Sequence, residues 1–424
     1  MRRSARERAP SIARRALVLG LARSGQAASL ALRRRGVEVR GVDRNRDLDV
    51  GRLREAGVEV VLGADDPALL EGVDLVVKSP GIPSEAPLVA AARERGLRVW
   101  SEVELGSRLL ESPIVGVTGT NGKTTTSELL GAIFRAAGHS VAVAGNVGAP
   151  LTGLDGLGAE SWVVCELSSF QLEDTETLRP RVGVLLNVEP DHLDRHGSLE
   201  AYRAAKLKLF ANQGAEDVAV VPRGFGTIPG TARRVEFHRD DPLPAEPLLR
   251  GPHNRENAAA ATATARAAGI ADDAIARALT TFRGVPHRLE LVGERAGVSY
   301  VNDSKATNAA AARRALESYA KQGIRVILGG SLKGESFQEL ADAMGPNVRC
   351  AYLLGQAAVA LAEALGRAGV PYEHAGDLEA AVRRAAGAAR PGEVVLLSPA
   401  CASFDQFRDF EERGERFREL VEAL

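Results

Sequence analysis

An apolar strand, a glycine-rich loop and a helix follow one another between residues 113 and 138, and this order constrains the fold more than any other feature of the chain. The loop reads TGTNGKT over residues 118–124, a shortened relative of the nucleotide-binding P-loop, because its first glycine lies at position 119 instead of 117. Such glycines let backbone N–H groups close around a phosphate, and the helix N-terminus adds a positive field. The segment therefore predicts a phosphate site, with Lys123 on the outer phosphates and Thr124 on Mg²⁺.

Apolar runs and Ala-rich amphipathic stretches alternate on both sides of this loop, which indicates parallel sheets covered by helices. The 424 residues suit about three domains of roughly 150 residues each. We predict an α/β protein with a Rossmann-like domain over residues 12–110, a central P-loop domain over 111–288 and a second Rossmann-like domain over 289–424. Residues 222–247 are rich in turn formers and predict a hairpin region.

Composition limits the partners and the compartment. Lys and Arg number 54 and Asp and Glu 55, so no overall field favours nucleic acid or an anionic membrane, and we expect neither as a partner. No stretch approaches the roughly 18 apolar residues of a membrane span. The three cysteines form no CxxC pair, which argues against a disulfide framework or a zinc cluster and predicts a cytoplasmic protein.

Lysine is scarce, since only seven of the 54 basic residues are Lys. Where Arg has replaced Lys so widely, a retained Lys suggests that a compact or modifiable amine is needed. Scattered surface lysines are the alternative for any one position. Five of the seven lie in the motifs described here: Lys78, Lys123, Lys206, Lys305 and Lys333.

Two further strand ends of the central region carry acidic residues or histidine. WVVCELSS delivers Glu166, where a P-loop site needs a second magnesium ligand, although a plain strand-end charge is also possible. NVEPDHLD brings Asp191, His192 and Asp194 together for metal binding, proton transfer or helix capping. On local sequence alone, Lys206 in AYRAAKLKLF is a solvated lysine on an amphipathic helix.

The third region and the junction before it add polar groups at strand ends. Asn254 lies in the cap region of a helix and Asn257 one turn in; a cap explains Asn254, but two Asn on one helical face could also bind a purine edge. Arg288 beside His287 suits a phosphate or a domain-boundary salt bridge. VNDSKATN and ILGGSLKG follow strands, where open α/β sheets present ligands. They contribute Asp303, Lys305, Thr307 and Lys333.

The first region begins with VLGLARSG, which resembles a dinucleotide fingerprint. Ala22 occupies the position of the middle glycine, where pyrophosphate needs close backbone approach, so NAD is disfavoured. A nucleotide diphosphate remains open, with Asp43 at the end of the second strand and Lys78 to Gly81 at another strand end.

Taken together, these motifs resemble the Mur ligases from about Arg15 onward. GTNGKTT and the His-x3-Asn element are shared with folylpolyglutamate synthetase, whereas NDSKATN and SPACASFDQF indicate the D-glutamate-adding branch. The resemblance implies a uridine-nucleotide domain, a central ATP domain, and a C-terminal domain that closes over ATP and the incoming amino acid. It implies an amide ligase, acting as a monomer on UDP-N-acetylmuramoyl-L-alanine and D-glutamate, with ATP and Mg²⁺.

The resemblance also implies the site residues. Thr124 and Glu166 would hold one Mg²⁺, and His192 with a carbamylated Lys206 a second one. The residues expected to contact ATP are Gly119, Thr120, Asn121, Gly122, Lys123, Thr124, Thr125, Asn257, His287, Arg288, Asp303 and Lys305. The residues expected to contact the other substrates are Arg23, Ser24, Asp43, Ser79, Gly81 and Asn146 for the uridine diphosphate and muramoyl parts, and Thr307, Lys333, Ser403, Phe404 and Phe410 for D-glutamate.

The sequence departs from the family pattern at two places. Arg44 and Asn45 follow Asp43 where some members have Thr and Arg, which affects the uracil contacts, and Phe404 stands where Leu is common. In the implied reaction a carboxylate attacks the γ-phosphoryl group, and the amine of D-glutamate displaces phosphate from the resulting acyl phosphate. Lys123, Lys305 and Arg288 would offset charge, and His192 is a candidate base. Other Mur ligases, a P-loop ATPase and a uridine-nucleotide binding protein remain alternatives.

Overall fold

The computed structural model describes residues 12–249, 251–332 and 336–424, and its strands form three sheets. The chain divides into two compact units, one ending at Phe282 and one beginning at Arg283. The first unit contains two of the sheets and the second unit contains the third. The predicted α/β class is confirmed, with three sheets that are parallel except for one edge strand of the third. The boundaries at 110/111 and 288/289 stay a prediction.

The first sheet is entirely parallel, in the order β3-β2-β1-β4-β5. Its strands are β1 (Arg15–Leu19), β2 (Glu38–Asp43), β3 (Glu59–Leu62), β4 (Leu75–Lys78) and β5 (Arg98–Ser101). Its helices are α1 (Arg23–Arg34), α2 (Gly51–Glu55), α3 (Pro87–Glu94) and α4 (Glu102–Leu109). The strand order reverses between β1 and β4, so the loops after these strands diverge and leave a crevice at their carboxyl ends.

The second sheet is also parallel, in the order β11-β10-β9-β6-β8-β7. Its strands are β6 (Ile114–Thr118), β7 (Val141–Gly145), β8 (Trp162–Glu166), β9 (Val182–Leu185), β10 (Val218–Pro222) and β11 (Arg233–Phe237). Its helices are α5 (Lys123–Ala136), α6 (Ser169–Leu172), α7 (Leu193–His196), α8 (Leu199–Leu207), α9 (Pro252–Ala267) and α10 (Asp272–Thr281). The fully buried β6 lies between β8 and β9, so the phosphate loop leaves the middle of the sheet.

The hairpin expected within residues 222–247 is wrong. β10 and β11 pair in parallel register, from Val218 with Arg233 to Pro222 with Phe237. The segment between the strands leads the chain back to the end of the sheet at which β10 begins, so that β11 runs in the same direction as β10. The turn-forming residues lie in the connection between the two strands, and this connection is a crossover instead of a hairpin turn.

The third sheet belongs to the second unit and has the order β12-β13-β17-β14-β15-β16. Its strands are β12 (Glu290–Arg295), β13 (Val298–Asn302), β14 (Ile324–Gly329), β15 (Val348–Leu354), β16 (Tyr372–Gly376) and β17 (Val394–Leu397). Its helices are α11 (Ala309–Ser318), α12 (Gln338–Asp342), α13 (Ala358–Ala368), α14 (Leu378–Ala388) and α15 (Phe410–Glu422). Only the edge strand β12 runs antiparallel, so the carboxyl ends of β13, β17 and β14 lie side by side.

The hydrophobic cores lie between the sheets and the helices that cover them. Apolar side chains of β6 and β8 pack against α5 and α9 in the second sheet, and those of β13 and β14 pack against α11 and α13 in the third. None of the helices in the described ranges is long and apolar enough to cross a bilayer.

Candidate active site

The phosphate loop has the conformation that its glycines predict. Gly122 precedes α5 with φ of 82°, and a Cβ built on it would lie 2.2 Å from Asn257 Oδ1. Asn257, on α9, is buried and packs its amide against the loop. Position 122 therefore tolerates only glycine, for conformational and for steric reasons.

Lys123 lies over the loop that precedes it. Its Nζ donates to the carbonyl oxygens of Gly119 and Thr120, both at 2.9 Å. Thr124 is buried in the first turn of α5, and Thr125 follows it, half-buried. The sequence thus predicted the placement of this segment at the carboxyl end of a central strand.

Lys206 reaches the same loop from α8. Its side chain is 1% exposed, and its Nζ donates to Gly119 O at 2.8 Å, so one carbonyl accepts from two lysines. Burial, and next the charge of Lys123, lower the pKa of Lys206 to about 7. The expectation of a solvated lysine is wrong, because α8 turns this face towards the loop.

Two residues that the sequence analysis did not single out hold the phosphate loop. Asn187 Oδ1 accepts from the N–H groups of Thr120 and Asn121 at 3.0 and 2.8 Å, and Glu189 Oε2 accepts from Asn121 Nδ2 at 2.9 Å. Both follow β9 in the motif NVEPDHLD. Their position after a strand adjacent to β6 was the available signal, since the carboxyl ends of neighbouring parallel strands meet.

Glu166 ends β8 beside the loop, as predicted. Its side chain is 1% exposed, Oε1 accepts from Asn146 Nδ2 at 2.9 Å, and Oε2 has no hydrogen-bond partner among the described residues. A buried carboxylate oxygen without a donor costs free energy unless a cation or a donor meets it. Asn146, expected to contact the muramoyl substrate, is thereby fixed against Glu166.

His192 lies at the start of α7 with φ of 52°, and its side chain is 44% exposed. Its ring packs 5.0 Å from Phe170 and 6.2 Å from Tyr202 between centroids. Because Lys206 Nζ lies 4.3 Å from the centroid of the same Tyr202 ring, His192 and Lys206 flank one aromatic side chain. His196, not singled out before, stacks on Phe170 and lies 3.1 Å from Glu173 Oε1.

The crevice of the first sheet contains three of the predicted substrate residues. Ser79 Oγ donates to Gly20 O at 2.9 Å and lies 3.3 Å from Ser24 Oγ. Both Asp43 carboxylate oxygens accept backbone N–H groups, from Leu21 at 2.6 Å and from Asn45 at 2.8 Å. These contacts shape the turn after β1, where Gly20 has φ of 86°.

The other two predicted residues of this region lie further out. Arg23 donates to Gly148 O at 3.1 Å, in the loop that follows Asn146, and Gly81 is exposed with open space beside it. Lys78 is buried and lies 2.8 Å from Asp174 Oδ2, so this retained lysine forms an ion pair between the first and second sheets' domains.

In the second unit, Asp303 and His287 form a buried polar cluster. Asp303 accepts from Ser398 Oγ at 2.8 Å and from Leu289 N at 3.2 Å, and burial raises the pKa of its carboxyl to about 6. His287 has φ of 61°, contacts Asn302 Nδ2 through Nδ1 at 3.1 Å, and has a pKa lowered by burial.

The remaining predicted residues of this unit surround that cluster. Lys305 N donates to His287 O at 2.9 Å, and Lys305 Nζ lies 5.8 Å from the Phe410 ring centroid. Thr307 follows two residues later, and Arg288 N donates to Val285 O at 3.2 Å. These contacts gather five predicted residues: His287, Asp303, Lys305, Thr307 and Phe410.

The loop after β17 contains Ser403 and Phe404, two of the residues predicted to contact D-glutamate. Ser403 is buried, and its carbonyl accepts from Gln406 N and Phe407 N, whereas the side chain of Phe404 is 71% exposed. Lys333 lies outside the described residues. Within the described ranges, no three or more His, Cys, Asp or Glu side chains form a group that could hold a metal ion.

Family profiles match three stretches of the chain. The profile described as Mur ligase MurD-like, N-terminal domain, matches residues 14–101. The Mur ligase middle domain matches residues 117–226, and the Mur ligase glutamate ligase domain matches residues 287–401.

Individual proteins agree with these profiles. The chain is 44% identical to the UDP-N-acetylmuramoylalanine--D-glutamate ligase of Pelotomaculum thermopropionicum, over 97% of this chain and 98% of that relative. The UDP-N-acetylmuramate-alanine ligase of Thermotoga maritima has a similar structure, with a TM-score of 0.52 at 20% identity over 97% of this chain and 99% of its own. The bifunctional folylpolyglutamate synthase/dihydrofolate synthase of Yersinia pestis, solved with AMPPNP and Mn, has a TM-score of 0.51 at 20% identity over 75% of this chain and 92% of its own.

Proposed function

Because the chain belongs to the Mur ligase family, we propose that it is an ATP-dependent amide ligase that adds D-glutamate to UDP-N-acetylmuramoyl-L-alanine in peptidoglycan precursor synthesis. The name of the relative that is 44% identical over nearly the whole chain supports the acceptor and the amino acid. The motifs NDSKATN and SPACASFDQF support the same choice of branch.

The observation that carries the proposal is the convergence of two lysine side chains, Lys123 and Lys206, on Gly119 O, the first glycine carbonyl of the phosphate loop. The ammonium group of Lys123 beside a glycine-rich loop and a helix N-terminus suits a polyphosphate, while the amine of Lys206 is available for modification. The γ-phosphoryl group of ATP would lie nearest to Lys123. The proposed ATP contacts of the loop are Gly119, Thr120, Asn121, Gly122, Lys123, Thr124 and Thr125.

The donor set beside the loop fits Mg²⁺. Glu166 Oε2 is a buried oxygen that accepts no hydrogen bond from the described residues, and Thr124 lies at the first turn of the helix that follows the loop. Carboxylate and hydroxyl oxygens are the ligands that this hard cation prefers. Bound there, Mg²⁺ would neutralise charge on the phosphate oxygens during transfer.

Lys206 suits a carbamate, which the family resemblance implies at this position. Its amine is buried and its pKa is lowered to about 7, so a large fraction is the neutral nucleophile at neutral pH. The nitrogen adds to the carbon of CO₂ and releases one proton, which leaves an anionic carbamate oxygen. That oxygen and His192, whose ring also lies beside Tyr202, would hold a second Mg²⁺.

The chemistry follows from charge and position. A carboxylate oxygen of UDP-N-acetylmuramoyl-L-alanine attacks the γ-phosphorus of ATP, ADP leaves, and an acyl phosphate forms. The amine of D-glutamate then attacks the acyl carbon, gives up a proton, and inorganic phosphate leaves. Lys123 offsets charge on the transferred group in this proposal, as do Lys305 and Arg288 from the second unit. His192, whose side chain is 44% exposed, is the candidate base for the amine proton, a role that competes with metal binding.

The remaining predicted residues keep their proposed roles. Arg23, Ser24, Asp43, Ser79 and Gly81 would contact uridine diphosphate, and Asn146 the muramoyl part. Asn257, His287 and Asp303 would contact ATP, while Thr307, Lys333, Ser403, Phe404 and Phe410 would receive D-glutamate. A cytoplasmic monomer that binds neither nucleic acid nor membrane completes the proposal.

Phosphate release from ATP in the presence of UDP-N-acetylmuramoyl-L-alanine tests this function. The assay compares D-glutamate with L-glutamate, L-alanine and diaminopimelate, and release with D-glutamate alone is expected. Release with another amino acid would move the protein to another branch of the family. Release of the same size without any amino acid would replace the proposal by a P-loop ATPase.

A further inference from the structure

Arg413, on α15, is a fully buried cation. Within the part of the chain that the structure describes, its guanidinium donates to five oxygen atoms, and all five belong to neutral groups. Ser304 provides two of them, Oγ at 2.9 Å from Nε and the carbonyl at 2.9 Å from Nη2. The other three are the carbonyl oxygens of Cys401, Ala402 and Gly329, at 3.1, 3.4 and 3.5 Å.

These acceptors lie at the carboxyl ends of three neighbouring strands, β13, β17 and β14. Ser304 stands between Asp303 and Lys305, Gly329 is the last residue of β14, and Cys401 and Ala402 lead directly to Ser403. One planar group with five N–H donors therefore ties together three loops. Lysine could not replace it, because an ammonium has only three donors and no fixed plane.

The loops are also tied to one another around this group. Ser331 N donates to Ala402 O at 2.8 Å, and Ser304 Oγ donates to Phe410 O at 2.8 Å. A Cβ on Gly330 would lie 2.1 Å from Ala402 O and 3.1 Å from Arg413 Nη1, so the backbone approaches the guanidinium closely. The arrangement leaves little room for the loops to move independently.

No anion among the described residues forms a hydrogen bond with Arg413. Burial lowers its pKa to about 10, against the attraction of Cys401 and Asp405, so it stays protonated at neutral pH. Asp405 acts on it through space and not through a hydrogen bond. A buried cation whose acceptors are all neutral raises the affinity of the adjoining strand ends for an anion.

From this geometry we propose that Arg413 is the positioning and specificity-determining residue of the amino-acid subsite. It sets the three loops in place, and its positive charge favours an incoming amino acid that carries an additional carboxylate. The inference rests on the proposed function, because it takes D-glutamate as the ligand of these loops. Arg413 does not itself contact the substrate in this proposal.

Steady-state kinetics of the full-length enzyme test the inference with Arg413→Met, which removes charge and donors, and Arg413→Lys, which keeps the charge. We expect the KM for D-glutamate to rise about tenfold or more in Arg413→Met and about threefold in Arg413→Lys. The KM for UDP-N-acetylmuramoyl-L-alanine should stay within about twofold, because its proposed contacts lie in the other unit.

Arg325→Met is the matched control. Arg325 lies on β14 towards the opposite end of the same strand, is mostly buried, and donates to Glu393 at 2.8 Å and to Tyr352 at 3.2 Å. Its loss should lower the melting temperature as Arg413→Met does, without changing the KM for D-glutamate. That separates a destabilised fold from a displaced subsite.

Three results would overturn the inference. The first is a KM for D-glutamate in Arg413→Met that equals the wild-type value. If Arg413→Met does not fold, the same result in Arg413→Lys counts instead. Another is an equal rise of both KM values in the Arg413 variants, and the third is a rise in the Arg325 control that matches theirs. A wild-type enzyme that releases no phosphate with D-glutamate would instead overturn the proposed function, and with it this inference.

Discussion

Replacement of Lys206 by methionine should stabilise the protein while it abolishes activity. The fall in the pKa of Lys206 from 10.5 to about 7 corresponds to about 5 kcal/mol of unfolding free energy that the buried amine costs below pH 7. At pH 7 about 4 kcal/mol of this cost remains. Methionine has a similar length and no charge, and it forfeits one hydrogen bond to Gly119 O, worth about 1 kcal/mol. The expected net gain is about 3 kcal/mol.

The sign of the pH dependence follows from proton binding. Between pH 7 and 10.5 the unfolded chain keeps the Lys206 proton and the folded chain has lost it, so wild-type stability rises with pH across this window. The Lys206→Met variant lacks this contribution. Its advantage should therefore be largest at pH 6 to 7 and should disappear near pH 10.

Urea unfolding of the full-length chain at several pH values measures both effects, in buffer free of bicarbonate so that no carbamate forms. Lys208→Met is the matched control, because Lys208 is exposed two residues along the chain and its loss should change stability by about 0.5 kcal/mol or less. A Lys206→Met variant that is less stable than the wild type at pH 7, with the pH profile of the control, would refute the reasoning.

Three further predictions concern the rest of the site. Gly122→Ala should weaken ATP binding about tenfold or more, because a left-handed conformation costs about 1–2 kcal/mol for alanine and the new Cβ would collide with Asn257. Calorimetry measures this affinity, and an unchanged value would contradict the loop geometry. Asp303→Asn should be more stable than the wild type by up to about 3 kcal/mol at pH 8 and equally stable near pH 3.5. Burial raises the pKa of Asp303 to about 6, so the wild type loses stability as the pH rises from 3.8 through 6. A stability difference that stays constant with pH in thermal unfolding would exclude this cause. Glu166→Gln should raise the Mg²⁺ concentration for half-maximal phosphate release about tenfold or more and leave the melting temperature nearly unchanged, since the amide oxygen can still accept from Asn146; an unaltered Mg²⁺ dependence would remove Glu166 from the metal site.

The phosphate loop could be predicted from sequence because its determinants are local. An apolar strand, glycines that permit a left-handed conformation, and a helix that begins at Lys123 occupy one continuous stretch. The crevice of the first sheet was equally accessible, since Ser79 and Asp43 follow strands and parallel strands bring their ends together.

Lys206 marks where local reasoning ended. The pattern AYRAAKLKLF assigns it to the polar face of a helix, but that face is covered by a loop 87 residues earlier in the chain. The scarcity of lysine drew attention to this residue, and the family resemblance supplied its proposed role. The burial of Arg413 has the same origin, because its acceptors lie up to 109 residues away and no helical periodicity reports them.

Asn187 and the parallel pairing of β11 show a second limit. Asn187 holds the N–H groups of Thr120 and Asn121 from the end of a neighbouring strand, and this depends on the strand order in the sheet. The hairpin prediction for residues 222–247 fails because turn formers mark where a chain bends and do not determine whether the next strand runs parallel or antiparallel.

The transfer of ¹⁸O from the substrate carboxylate to inorganic phosphate tests the central claim most directly. UDP-N-acetylmuramoyl-L-alanine labelled in its carboxylate is turned over with ATP and D-glutamate, and the phosphate is analysed by mass spectrometry. Attack of that carboxylate on ATP predicts one labelled oxygen in each phosphate released. Unlabelled phosphate released at the same rate would mean that water attacks ATP, and the proposed ligase would be wrong.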